Sequence, residues 1–282
     1  MSAVAHRITE FTRDGLTFDV LDEGPIDGDV VVLLHGFPER ASCWREVAPL
    51  LHARGLRTLA PDQRGYSPRA RPPRRRDHRT SELADDVAAL ITEAGGGPVH
   101  LVGHDWGAIV GWAVLGRHAD LVRTYTSLSI PHPRSFVRSL LRSRQGLKSW
   151  YMLAFQLPFG PEKLAAKPGG IFDKSLRGSG MSREEVARFR EEIVDYGALP
   201  GGIAYYRALP FSDLRESAPV TTPVTLVWSD GDDFVDRAGV DMTADLVEGD
   251  YRLVVLEGVD HWIPTHAPHE AVAAILERIG AA

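Results

Sequence analysis

The spacing of hydrophobic and polar positions changes several times along this 282-residue chain. Near the N-terminus, residues 8–12 and 17–21 read as two strands joined at Asp14-Gly15, a favourable hairpin dipeptide. The next run, Val30–Leu34, is Val-Val-Val-Leu-Leu with no polar position. Such a run suits a strand buried on both faces, as in a parallel sheet. A helical pattern over 44–54 precedes a short strand at 57–60. In 81–93, Leu83, Val87, Leu90 and Ile91 mark one helix face, with Ser81 placed to cap it. Strands at 99–102, 122–129, 224–228 and 252–256 alternate with helices at 106–116, 238–246 and 269–279. That alternation predicts an α/β fold around a mostly parallel sheet.

Between Pro131 and Pro219 the pattern is different. Apolar residues fall at helical spacing, broken at Pro158, Pro161, Gly169-Gly170 and Pro200-Gly201-Gly202, and no buried strand is evident. The expected organisation is a core of residues 1–130 and 218–282, with a helical lid, 131–217, inserted in it. An insertion of this kind covers a site and excludes water.

Composition adds limits. The chain is 44% hydrophobic and 25% charged, ordinary for a globular protein that can bury a large core. Its single cysteine, Cys43, rules out an intrachain disulfide and fits a reducing compartment. The first residues have no apolar stretch of the kind a secretory leader needs, and no run approaches the roughly 18 residues of a membrane span. The expectation is therefore a cytoplasmic protein. A net charge of −6 argues against a nucleic-acid binder, and no membrane partner is expected. Six arginines between Arg69 and Arg79 share a loop with Pro68, Pro72 and Pro73, which reads as a solvated surface.

The chemistry centres on Gly103-His104-Asp105-Trp106-Gly107, directly after a buried strand and before a helix. This is the context of a nucleophile elbow, where small residues flank a nucleophile on a tight turn. With Asp105 at its centre, the nucleophile is ionised at neutral pH and needs no base to activate it. A carboxylate can displace at a saturated electrophilic carbon and form an ester, but attacks carbonyls poorly. Three further segments supply the remaining roles. His35-Gly36-Phe37-Pro38-Glu39 follows a strand, and its Phe37 N–H, with that of Trp106, is placed to bind an oxyanion. Val259-Asp260-His261-Trp262 offers His261 as the base for water. The loop after Trp228 offers Asp230, Asp232, Asp233 and Asp236 as the acid that orients His261. Spacing alone leaves these four open. His104 and His132 read as structural, and His35 as a residue that orients the Phe37 loop.

These motifs, together with Pro61-Asp62-Gln63-Arg64-Gly65-Tyr66-Ser67, resemble the epoxide hydrolase branch of the α/β-hydrolase superfamily over essentially the whole chain. The resemblance implies Asp232 as the acid, and a cis peptide between Phe37 and Pro38. It also implies two lid tyrosines that donate protons to the epoxide oxygen. Tyr151, four residues before Phe155-Gln156, matches the first. Ala204-Tyr205-Tyr206-Arg207 matches the segment of the second and selects Tyr206, with Tyr205 as its rival. Ala204 and Tyr205 stand where Asn and Trp are usual. The implied reaction is an epoxide plus water giving a vicinal diol through an aspartyl ester, with no cofactor or metal. The implied partners are a small hydrophobic epoxide and water. Phe37, Trp106, Trp150 and Phe155 are expected to line the pocket; Phe136, Leu153, Phe159 and Phe211 are further apolar residues of its surroundings. A dehalogenase shares the aspartate chemistry but wants indole or amide donors for halide. A non-catalytic receptor on a hydrolase scaffold is a third reading.

Overall fold

A computed structural model describes residues 6–213 and 220–280. Eight strands form one sheet in the order β1-β2-β4-β3-β5-β6-β7-β8. β1 (Glu10–Arg13) and β2 (Leu16–Glu23) are an antiparallel hairpin, and β2 joins β4 (Arg57–Pro61) antiparallel. From there β3 (Val30–Leu34), β5 (Val99–His104), β6 (Val122–Leu128), β7 (Val224–Ser229) and β8 (Tyr251–Leu256) continue in parallel. The apolar runs become the central strands: the residues of β5 and β7 are buried throughout. Helices α1 (Ala48–His52), α2 (Thr80–Glu93) and α3 (Trp106–Arg117) follow β3, β4 and β5 and cover the sheet, and β6 leads into a helical segment. Its helices are α4 (Pro133–Arg142), α5 (Gln145–Lys148), α6 (Trp150–Ala154), α7 (Gly160–Ala166), α8 (Ile171–Gly178), α9 (Arg183–Phe189) and α10 (Leu199–Ala208). Between β6 and β7 the described residues hold no strand. The expected segment end at residue 217 lies outside the described residues. After β7 come α11 (Arg237–Asp241), α12 (Ile263–His266) and α13 (Pro268–Gly280).

Several expected elements differ in detail, each for a local reason. The helix expected over 44–54 is a 3₁₀ turn, Ala41–Glu46, followed by the short α1, because Pro49 brings no N–H to continue the preceding turn. Ser81 does not cap α2, which starts at Thr80; its hydroxyl instead accepts a hydrogen bond from Arg79 Nε at 3.0 Å. Ile8 lies before β1, and its N–H is taken at 2.7 Å by the Asp22 carboxylate. The helix expected over 238–246 stops at Asp241 and resumes as a 3₁₀ turn at Ala244, with the Thr243 hydroxyl bonded back to the Gly239 carbonyl at 3.1 Å. Pro200-Gly201-Gly202 is not a break but the first turn of α10, where proline is tolerated. Gly201 permits that turn to lie against Gly65, since a Cβ there would run into the Gly65 backbone.

The join between β5 and α3 is tightly packed. Asp105 has φ 49° and ψ −121°, a left-handed conformation costly for a residue with a Cβ. A Cβ on Gly107 would collide with the carbonyl of Leu34 in β3. A Gly107→Ala variant is therefore expected to lose about 3 kcal/mol of stability. Gly178 ends α8 with open space around it, so Gly178→Ala should change stability by less than about 1 kcal/mol. Urea denaturation of the two variants checks the contrast.

Candidate active site

The strand ends converge on one acid. Asp105 follows β5 directly at a positive φ, and its carboxylate makes no capping hydrogen bond to the helix it precedes. Oδ1 accepts a hydrogen bond from the Phe37 N–H at 2.7 Å. Gly36 makes that approach possible, because a Cβ there would overlap the Asp105 side chain. The Phe37–Pro38 peptide is cis. His35 braces the loop from below: its Nε2 accepts from the Gln63 N–H at 3.1 Å, and its carbonyl accepts from the Gln63 amide at 2.6 Å. An Nε2 that accepts is an unprotonated one, and burial lowers the pKa of His35, so its ring is neutral.

On the other side, His261 follows β8 and lies between two carboxylates. Its Nδ1 is 2.8 Å from Asp232 Oδ2, and its Nε2 is 3.6 Å from Asp105 Oδ2. Asp232 is buried, and its second oxygen accepts from the N–H groups of Phe234 and Val235 at 2.7 and 2.9 Å. The other acids of the loop face elsewhere. Asp230 accepts from the Gly258 N–H, Asp236 caps α11, and Asp233 is exposed. Burial lowers the pKa of His261, yet the two carboxylates outweigh it and the net shift is upward. For Asp105 burial raises the pKa, and the hydrogen bond and charge of His261 turn the net shift downward. The resting pair is thus imidazolium and carboxylate. His104 donates from Nε2 to the His261 carbonyl at 2.9 Å, so it holds the backbone of His261, whose ring lies 4.9 Å from its own. His132 accepts from the Arg134 N–H and caps α4.

A cavity of about 310 Å³ opens above Asp105, between the sheet and the helical segment. Tyr151 from α6 and Tyr206 from α10 line it together with Trp106. Burial holds both phenols above their ordinary pKa, so both keep their protons at neutral pH. Tyr205, the rival of Tyr206, does not line the cavity; its hydroxyl donates to the Arg64 carbonyl at 2.7 Å.

The expected pocket lining is corrected in three places. Trp150 is 65% exposed and stands on the outer side of α6, opposite Tyr151. Phe155 is buried but packs edge-on against Phe37 and Tyr206 behind the cavity wall, and Phe37 does not line the cavity either. Leu153, Phe159 and Phe211 are exposed, which leaves Phe136 as the lining residue of the wider apolar set. Other walls went unseen in the sequence. Phe234 lines the cavity with its ring 4.8 Å from that of His261, and Leu140 and Met152 add apolar surface. Two polar residues of the helical segment also reach the site. Gln145 accepts from the Asp236 N–H and donates to the Phe234 carbonyl, both at 2.7 Å, and Lys148 donates to the Asp232 carbonyl at 2.5 Å. They clasp the acid loop from the helical segment. A buried Gln on a short helix gives no sequence signal of such a partner.

The sheet order, the acid at a strand-to-helix turn, and the histidine beyond the last strand define a hydrolase of the α/β class. Comparison agrees. A family profile described as alpha/beta hydrolase fold matches residues 29–266. The AB hydrolase superfamily protein YfhM of Bacillus subtilis is 33% identical over 272 residues, 94% of each chain. Epoxide hydrolase A of Mycobacterium tuberculosis is 30% identical over 318 residues, 98% of each chain. Among solved structures, an epoxide hydrolase of Vigna radiata superposes with a TM-score of 0.80 at 28% identity, covering 97% of both chains. The chain belongs to the α/β-hydrolase family, in its epoxide hydrolase branch.

The charge arrangement has a consequence for stability. Folding raises the pKa of His261, so the folded protein holds this proton more tightly than the unfolded chain. The contribution is complete below about pH 6.5 and is lost as pH rises through the raised value. In Asp232→Asn the raise is smaller. The stability gap between wild type and this variant should therefore be larger at pH 6 than at pH 9, as measured by urea denaturation at both values.

Proposed function

We propose that this protein hydrolyses an epoxide to a vicinal diol through an ester on Asp105. The carrying observation is a cavity lined by the Asp105 carboxylate and two protonated phenols, Tyr151 and Tyr206, with His261 behind Asp105. In this reading the helical segment is a lid, which holds Tyr151 and Tyr206 over Asp105 and limits the access of water.

Asp105 Oδ2 attacks a ring carbon, and the carbon–oxygen bond of the strained ring breaks. Tyr151 and Tyr206 hydrogen-bond the departing oxygen, and one of them gives it a proton. Oδ1 becomes the carbonyl oxygen of the ester, already beside the Phe37 N–H. Alkylation also removes the negative charge of Asp105, one of the two charges that raise the pKa of His261. The imidazolium then loses its proton more readily; that proton restores the tyrosine that gave one up, and the neutral ring serves as the base for the second half of the reaction. His261 takes a proton from water as the water oxygen attacks the ester carbon, while Asp232 holds the ring and balances its charge. The N–H groups of Phe37 and Trp106 stabilise the oxyanion. Its collapse breaks the bond from the Asp105 carboxyl carbon to the alkyl oxygen, which takes the proton of the new carboxyl group, so the diol leaves and the Asp105 carboxylate is restored. The proton taken from water leaves His261 as the resting imidazolium.

Two observations support the phenol roles over a halide site. The cavity wall above Asp105 includes two phenols, Tyr151 and Tyr206, and a relative matched over 98% of both chains is named an epoxide hydrolase. The test is the His261→Gln variant, incubated with an aryl epoxide or, separately, with a haloalkane, and followed by intact mass. Turnover should fall by about 10²–10⁴-fold and the ester should accumulate. The expected adduct equals the whole epoxide and is absent when Asp105 is also changed to Ala. An adduct equal to the alkyl group without halogen, with none from the epoxide, would replace this reading with a dehalogenase. Tyr151→Phe and Tyr206→Phe should each slow adduct formation about 10-fold or more.

A further inference from the structure

The outer face of the helical segment is unlike the rest of the surface. Of the eleven large hydrophobic side chains exposed among the described residues, nine lie between Val137 and Ile171. Leu141, Leu147, Leu153 and Phe159 are 93%, 76%, 78% and 75% exposed. Leu147 on α5, Trp150 and Leu153 on α6 and Leu157 just beyond it recur at spacings of three, three and four, and all four are exposed. Tyr151 and Met152 lie on the opposite side, against the cavity. Nothing in the described chain covers those four side chains. An apolar surface of this extent marks an interaction site.

Its charge says what can cover it. Residues 133–178 carry nine Lys or Arg against two acids, Glu162 and Asp173, a local net of +7 in a chain whose total is −6. Arg138, Arg142, Arg144, Lys163, Lys167 and Lys174 make no ion pair among the described residues, while both acids do, with Arg207 and Arg190. Exposed cations interleaved with exposed Leu, Trp and Phe are the pattern of a helix face that lies in the interface of an anionic bilayer. A second copy of this chain placed face to face would oppose +7 with +7. The apolar face also meets the cavity: Val137, 39% exposed, is part of the cavity lining.

We infer that the lid face from Val137 to Ile171 docks on an anionic lipid surface, with the cavity mouth at Val137 beside the apolar phase. No helix among the described residues is long and apolar enough to cross a membrane, so the contact is peripheral. It departs from the expectation of no membrane partner, which rested on the lack of a spanning run. Docking there would deliver an apolar ligand from the lipid to the cavity without a passage through bulk water. The contact does not depend on the epoxide chemistry, and it is read without substrate.

The test is flotation of the full chain with vesicles of phosphatidylcholine alone or with 30% phosphatidylglycerol. Binding is expected to the anionic vesicles at low salt, to fall in 0.5 M NaCl, and to be weak on phosphatidylcholine. Arg142→Glu with Arg144→Glu should reduce binding by more than about 25-fold, from roughly fivefold for each cation lost. Leu147→Ser with Leu153→Ser should reduce it at unchanged charge, and circular dichroism should show both variants folded. Three results would overturn the inference: no flotation with anionic vesicles at low salt, flotation indifferent to both pairs of substitutions, or sedimentation that shows a dimer abolished by Leu147→Ser with Leu153→Ser.

Discussion

The whole site depends on how closely the backbone of α3 can approach β3. Gly107 lies against the carbonyl of Leu34, Gly103 lies against Gly107, and Gly36 lies against the side chain of Asp105. Three missing side chains thus allow one carboxylate to stand at the head of the sheet with φ near 49°. Everything else is placed relative to that carboxylate. The Phe37 N–H reaches it from β3, His261 from β8, and the two tyrosines from above. The strain of the positive φ is held by packing on both sides rather than by any single bond.

Around this point the protein handles charge by pairing. Asp105, His261 and Asp232 carry two negative charges and one positive charge in a buried space. Such an arrangement is tolerable because every charge has a close partner, and Asp232 has two backbone N–H donors as well. The same pairing makes the proton of His261 responsive to the covalent state of its neighbour. Under the proposed chemistry, one bond made at Asp105 changes the acidity of a ring several ångströms away, with no movement of the chain required.

Much of this was legible in the sequence because it lies on regular elements. The continuous apolar runs located the central strands, and the positions just after them carried the motif residues. Where turn chemistry decided, the sequence was less clear: Pro49 split a helix, and Pro200-Gly201-Gly202 began one instead of ending one. The helical segment was hardest. Aromatic spacing there does not tell inside from outside: Trp150 faces away from the pocket that Tyr151 lines, while Tyr206 and Tyr205 differ by one residue and have different partners. Phe234 is a lone aromatic in an acidic loop, and only the return of that loop beneath α6 brings it to His261.

Gln145 and Lys148 give the helical segment a second role besides forming the cavity walls. Their bonds run to Asp232, Phe234, Val235 and Asp236, the backbone that seats the acid behind His261. The segment and the core are therefore joined at the acid loop as well as over Asp105. Replacing these helices with those of a relative exchanges more than pocket shape: it also resets the support of the acid. In this architecture the cavity walls and the support of the acid behind His261 belong to the same helices, so a change made for one bears on the other.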